Sequence, residues 1–123
     1  MRILSPEPKV ICDFTREVPL EQVIIKGKSL NELADLCHAI AKSKGFWDEK
    51  RNVGEALMLM VTELAEAMEA YRHQDQEEFR EELADTFIRL LDFCGGLGID
   101  IEAEIEKKCQ KNQGRPYKHG KIC

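Results

Sequence analysis

Between Ser29 and Gln113 the apolar residues recur every three or four positions in four separate runs, the period that draws one stripe along an α-helix. The first run carries Leu30, Leu33, Leu36, Cys37 and Ile40 behind the capping box Ser29-x-x-Glu32, and extends to about Lys44, where Gly45 stops it. Asn52-x-x-Glu55 opens a second run to about His73, with Leu57, Met60 or Val61, Leu64 and Met68 as its core stripe. Asp75 is a good N-cap for a third, which bears Phe79, Leu83, Phe87, Leu90, Leu91 and Cys94 and meets stop signals at Gly95, Gly96 and Gly98. Asp100 opens a fourth, running to about Gln113 on Ile101 and Ile105, with Pro116 beyond it.

Residues 1–28 read differently. Pro6, Pro8 and Pro19 break any helix, and Lys9–Phe14 and Gln22–Ile25 are short β-rich runs, fit for a small hairpin or for an arm draped over a neighbouring subunit. The expected fold is therefore all-α: a four-helix bundle over residues 29–123 behind a non-helical N-terminal arm, 1–28. The second and third helices are joined by only a few residues, so they must lie antiparallel and adjacent. The third carries Phe79, Phe87, Ile88, Leu90, Leu91 and Phe93, more apolar circumference than one neighbour can cover, which predicts an obligate homodimer, with pairing into a tetramer as the larger alternative.

Composition narrows the classes of function. At 123 residues and 14.1 kDa the chain is one small domain, and its net charge of −5 (pI about 5.3) argues against a nucleic-acid binder, which would present a basic face. No apolar run reaches membrane-spanning length, and no basic-then-apolar leader opens the chain. The cysteines Cys12, Cys37, Cys94, Cys109 and Cys123 are scattered, with no CxxC pair and no histidines at zinc spacing. Cys37 and Cys94 fall on apolar faces as small core residues, and a reducing, cytoplasmic location is expected.

The candidate chemistry lies in two acidic pairs, Glu63-x-x-Glu66 on the second helix and Glu82-x-x-Asp85 on the third. Residues at i and i+3 share a helix face, about 5–6 Å apart at Cβ. An antiparallel hairpin places Glu63 and Glu66 opposite Glu82 and Asp85, with Glu69, Glu78 and Glu81 as alternative members in a shifted register. The flanking residues are apolar, whereas a merely solvated face would not be so bracketed. Carboxylates so gathered repel one another unless a cation intervenes, and an all-oxygen donor set selects Mg²⁺, with Mn²⁺ able to substitute. Two or more such ions can clamp phosphate oxygens and lower the pKa of a bound water, with Glu63 or Glu66 accepting its proton.

The C-terminal segment supplies cations. Lys108 and Asn112 stand at i and i+4 on the fourth helix, and Arg115 and Lys118 follow, a set able to hold phosphate and sugar oxygens; the plain alternative is a solvated terminus that complements the helix dipole. Trp47, the one tryptophan, is either a platform for a nucleobase or a core plug. His38 is either a group reaching a base edge or, the favoured reading, a partly buried polar residue.

Together, Glu63, Glu66, Glu82 and Asp85, the Gly45–Asn52 segment, and Lys108-x-x-x-Asn112-x-x-Arg115-Pro116-Tyr117 resemble the MazG-type all-α nucleoside triphosphate pyrophosphohydrolases over about residues 29–121. The resemblance implies hydrolysis between the α- and β-phosphates, Mg²⁺ on the four acids, and Lys108, Asn112 and Arg115 near the phosphates or sugar, with Tyr117 a further candidate for substrate binding. It also implies a bundle completed by a second chain, as a dimer or a dimer of dimers. The arm has no counterpart in that pattern. The rival reading is a non-enzymatic, acidic helical adaptor that binds a partner helix through the same stripes.

Overall fold

The structure, a computed structural model, describes residues 17–122, and the Lys9–Phe14 run lies outside them. Four helices follow one another: α1 (Leu30–Ser43), α2 (Val53–Arg72), α3 (Gln76–Leu97) and α4 (Ile101–Gln113). Each begins at the residue whose side chain can satisfy its first free N–H groups. Ser29 Oγ accepts from the Glu32 amide while the Glu32 carboxylate accepts from the Ser29 amide, a reciprocal capping box. Asn52, Asp75 and Asp100 accept in the same way from the amides of Glu55, Glu78 and Ala103.

The ends are equally local in origin for α1, where Gly45 takes a φ of +91°. The Gln22–Ile25 run is a correction. Leu20–Val23 forms a short 3-10 turn with Ile24 extended after it, and no strand occurs among the described residues. Among the described residues no neighbouring strand offers this segment a ladder, and its backbone is satisfied locally by the Gln22 amide donating to the Pro19 carbonyl (2.9 Å).

α3 is the central helix, with α1 and α2 each packed chiefly against it. Three residues separate α2 from α3, His73 to Asp75, so the two form an antiparallel hairpin. α4 joins the rest at the start of α1. There the Asn31 amide donates to Glu102 (2.8 Å), and the Asn31 side chain donates to Asp100 (2.9 Å) and accepts from the Glu102 amide (3.3 Å).

Two expectations about packing are overturned. Gly95 and Gly96 do not stop α3, which continues to Leu97 and ends at Gly98 with a φ of +69°. They serve close approach instead. A Cβ at Gly95 would lie 2.5 Å from the Ala34 carbonyl oxygen, and one at Gly96 would lie 2.3 Å from the Trp47 ring. The second correction concerns α2. Its inward seam consists of Ala56, Glu63, Ala67 and Ala70, while Leu57, Val61, Leu64 and Met68 stay exposed, as do Phe87, Ile88 and Leu90 of α3. Small side chains let the helix axes come close, so the larger apolar residues are turned outward.

The Gly95 contact is with backbone, which cannot swing aside. Gly95→Ala is therefore expected to lower stability by about 1–3 kcal/mol despite the better helix propensity of alanine, as measured by denaturant unfolding. Unchanged stability would mean that α1 and α3 do not approach as described.

Candidate metal centre

Glu63 enters the α2–α3 seam because it sits seven residues after Ala56 and four before Ala67, in helical phase with the alanines. It is only 8% exposed. On α3 the residues Glu82, Asp85, Arg89 and Asp92 recur at spacings of three, four and three, forming a polar stripe along one face.

Where the faces meet, Glu63, Glu66 and Glu82 bring carboxylate oxygens within 4.8 Å of one another. Asp85 lies outside this closest group, exposed one turn further along, yet near enough to act on Glu82 through its charge. Glu69, Glu78 and Glu81 are not members either, and Glu69 pairs with His73 at 2.9 Å.

The crowding leaves two marks. Glu82 is pushed up from its ordinary 4.5 to about 7, first by desolvation and then by the charges of Glu66, Glu63 and Asp85 and a hydrogen bond with Glu66. Its Oε2 is also the one buried side-chain polar atom without a hydrogen-bond partner among the described residues. The second mark is on Glu63, whose Oε1 stands 3.2 Å from Arg89 Nε as an ion pair. A buried, unpartnered carboxylate oxygen facing two further carboxylates suits a hard cation, so the donor set fits Mg²⁺ or Mn²⁺.

Beside the cluster lies a cavity of about 410 Å³ whose wall includes Glu63, Asp85, Arg89 and Asp92 together with Leu36, Ile40 and Phe46. Asp92 is buried, and its Oδ1 accepts from Trp47 Nε1 (2.8 Å) and meets His38 Nδ1 (3.1 Å). The His38 and Trp47 rings pack edge to face, 4.8 Å between centroids, and Arg51 lies 5.0 Å from the Trp47 centroid. Trp47 thus fills the notch left by Gly96, with its polar edge bound to Asp92.

Lys108, Asn112, Arg115 and Lys118 do converge, on a shallow depression shared with His119 and Lys121. It has no lining residue in common with the cavity beside the acids, and Tyr117 is 88% exposed next to it. Neither the cavity nor this depression is lined by both the acids and these C-terminal residues. Arg89 and Asp92 were not anticipated. The signal for both was the three-four-three spacing that continues the Glu82–Asp85 pair along α3.

Fold and site together define an all-α domain with a carboxylate cluster of metal-binding type. A profile of the MazG nucleotide pyrophosphohydrolase domain matches residues 51–119, and the chain belongs to that family. Neither curated proteins nor solved structures gave a match. No helix among the described residues is long and apolar enough to cross a membrane.

The raised Glu82 pKa has a definite sign. The folded chain holds this proton more tightly than the unfolded one, so the stability linked to it is full below about 4.5 and is lost as pH rises through about 7. In chelator, melting temperatures should fall across that window more steeply for the wild type than for Glu82→Gln. Parallel curves for the two proteins would show that Glu82 titrates normally.

Proposed function

We propose that the protein is a divalent-metal-dependent nucleoside triphosphate pyrophosphohydrolase, taking a (d)NTP and water to a (d)NMP and diphosphate and so controlling or cleaning the nucleotide pool. The observation that carries this reading is the meeting of Glu63, Glu66 and Glu82 around the unpartnered Glu82 oxygen, in a chain of the MazG family. Glu63, Glu66 and Glu82, with Asp85 at the margin, would hold Mg²⁺, or Mn²⁺ in its place, as two or more ions. Bound there, the metal supplies positive charge to the phosphate oxygens and acidifies a water.

The remaining work falls to the chain. Glu63 or Glu66 takes the proton of the attacking water. The new bond forms between that water oxygen and the α-phosphorus as the bond from the α-phosphorus to the bridging oxygen breaks, and diphosphate leaves. Lys108, Asn112, Arg115, Tyr117 and Lys118 bind phosphate and sugar oxygens. His38 and Trp47, held by Asp92, brace the cavity that receives the nucleoside.

Self-association belongs to the same proposal. Leu57, Val61, Leu64 and Met68 recur along one stripe of α2 and are exposed, as are Phe87, Ile88 and Leu90 of α3; exposed apolar side chains of this kind are what a second copy covers. That the acids and the C-terminal cations line different hollows supports an assembly in which the C-terminal segment of one subunit serves the acids of another. An adaptor that binds a partner helix has a use for that apolar surface but none for three converging carboxylates.

With Mg²⁺ and a panel of dNTPs and NTPs, diphosphate is expected as the first product; orthophosphate with a nucleoside diphosphate would overturn the reading. Glu63→Ala, Glu66→Ala, Glu82→Ala and Asp85→Ala should each remove most activity, on the order of 10²-fold or more, with helical circular dichroism retained. Light scattering should give a dimeric or tetrameric mass, and a fully active monomer would sink the assembly.

A further inference from the structure

Arg89 is a cation placed at the junction of the acidic cluster and the cavity. It follows Glu82 by seven residues and Asp85 by four, so all three share the face of α3 turned toward α2. Its Nε stands 3.2 Å from Oε1 of the buried Glu63, an ion pair. The same side chain lines the 410 Å³ cavity and the depression formed by the Gly45–Asn52 segment on its other side.

A guanidinium offers five N–H donors, more than a single ion-pair contact at Nε engages. Its side chain remains 38% exposed, against 11% for Glu63, and it forms part of the cavity wall. The other cations on the cavity wall have different attachments. Lys44 stands 3.9 Å from Glu17, and Arg51 lies over Trp47 and donates to the Phe46 carbonyl. A phosphate arriving beside three carboxylates meets repulsion, and a fixed bidentate donor at the edge of the cluster offsets it.

We propose that Arg89 is a phosphate-binding residue of the nucleotide site, one that keeps Glu63 oriented through Nε while its Nη groups take a phosphate oxygen of the bound nucleotide. The proposal rests on the pyrophosphohydrolase reading and adds to it a residue outside the acidic motif. A purely structural ion pair between α2 and α3 is the competing account, and the two differ in what they do to ligands with and without phosphate.

The test compares wild type, Arg89→Lys and Arg89→Gln by calorimetry, in Mg²⁺, with a nucleoside monophosphate and with the matching nucleoside. Loss of a charged bidentate contact should weaken monophosphate binding by about tenfold or more in Arg89→Gln, with Arg89→Lys in between. Nucleoside binding should change by less than about twofold, since no phosphate contact is involved. KM for the triphosphate should rise more than kcat falls. Equal weakening of both ligands, or none for the monophosphate, overturns the phosphate role and leaves the structural pair. Wild type that releases no diphosphate and binds no nucleotide would instead remove the function reading, and this proposal with it, a result distinct from an active wild type with an indifferent variant.

Discussion

Everything near the α2–α3 seam answers to one constraint: carboxylates held close together at the edge of a buried surface. Glu63, Glu66 and Glu82 cannot all be charged there without compensation. The crowding raises the Glu82 pKa to about 7, and Arg89 stands against Glu63 as a counter-charge. Such an arrangement lowers stability relative to an apolar seam of similar volume, and a site that tolerates this strain is characteristic of function rather than of folding.

The scaffold fits that demand. α3 lies between α1 and α2, and its two faces carry different loads. Toward α2 it presents the polar stripe from Glu82 to Asp92. Toward α1 it presents Gly95 and Gly96, where the absence of side chains lets the Ala34 backbone and the Trp47 ring press against it. Asp92 connects the two, since the carboxylate that borders the cavity also anchors Trp47 and His38.

What could be read in advance was what is local. Ser29, Asn52, Asp75 and Asp100 cap their helices because a cap involves residues three apart, and the acidic pairs could be aligned because a three-residue link leaves α2 and α3 little freedom. The errors concerned partners distant in sequence. Gly95 and Gly96 look like terminators by propensity, whereas their role is set by residues fifty to sixty positions earlier. Periodicity showed that α2 has an apolar stripe but not that its alanine face meets the same chain while Leu57, Leu64 and Met68 face away. Arg89 and Asp92 lie beyond the two-acid motif, whose E-x-x-D spacing does not by itself say that the polar stripe continues for two more turns.

The alanines of α2 have a consequence for ion choice. Ala56, Ala67 and Ala70 bracket Glu63 along the contact line, so their methyl groups gauge how far α2 stands from α3. That distance also sets the gap between Glu63 and Glu82. Mg²⁺ requires oxygens at about 2.0–2.1 Å in near-octahedral order, while Ca²⁺ accepts about 2.3–2.6 Å and a looser shell. A seam widened by larger side chains would relax the ligand cage toward the bigger ion. If a cation is held there, discrimination between two common ions would be written partly in residues that carry no donor atom at all.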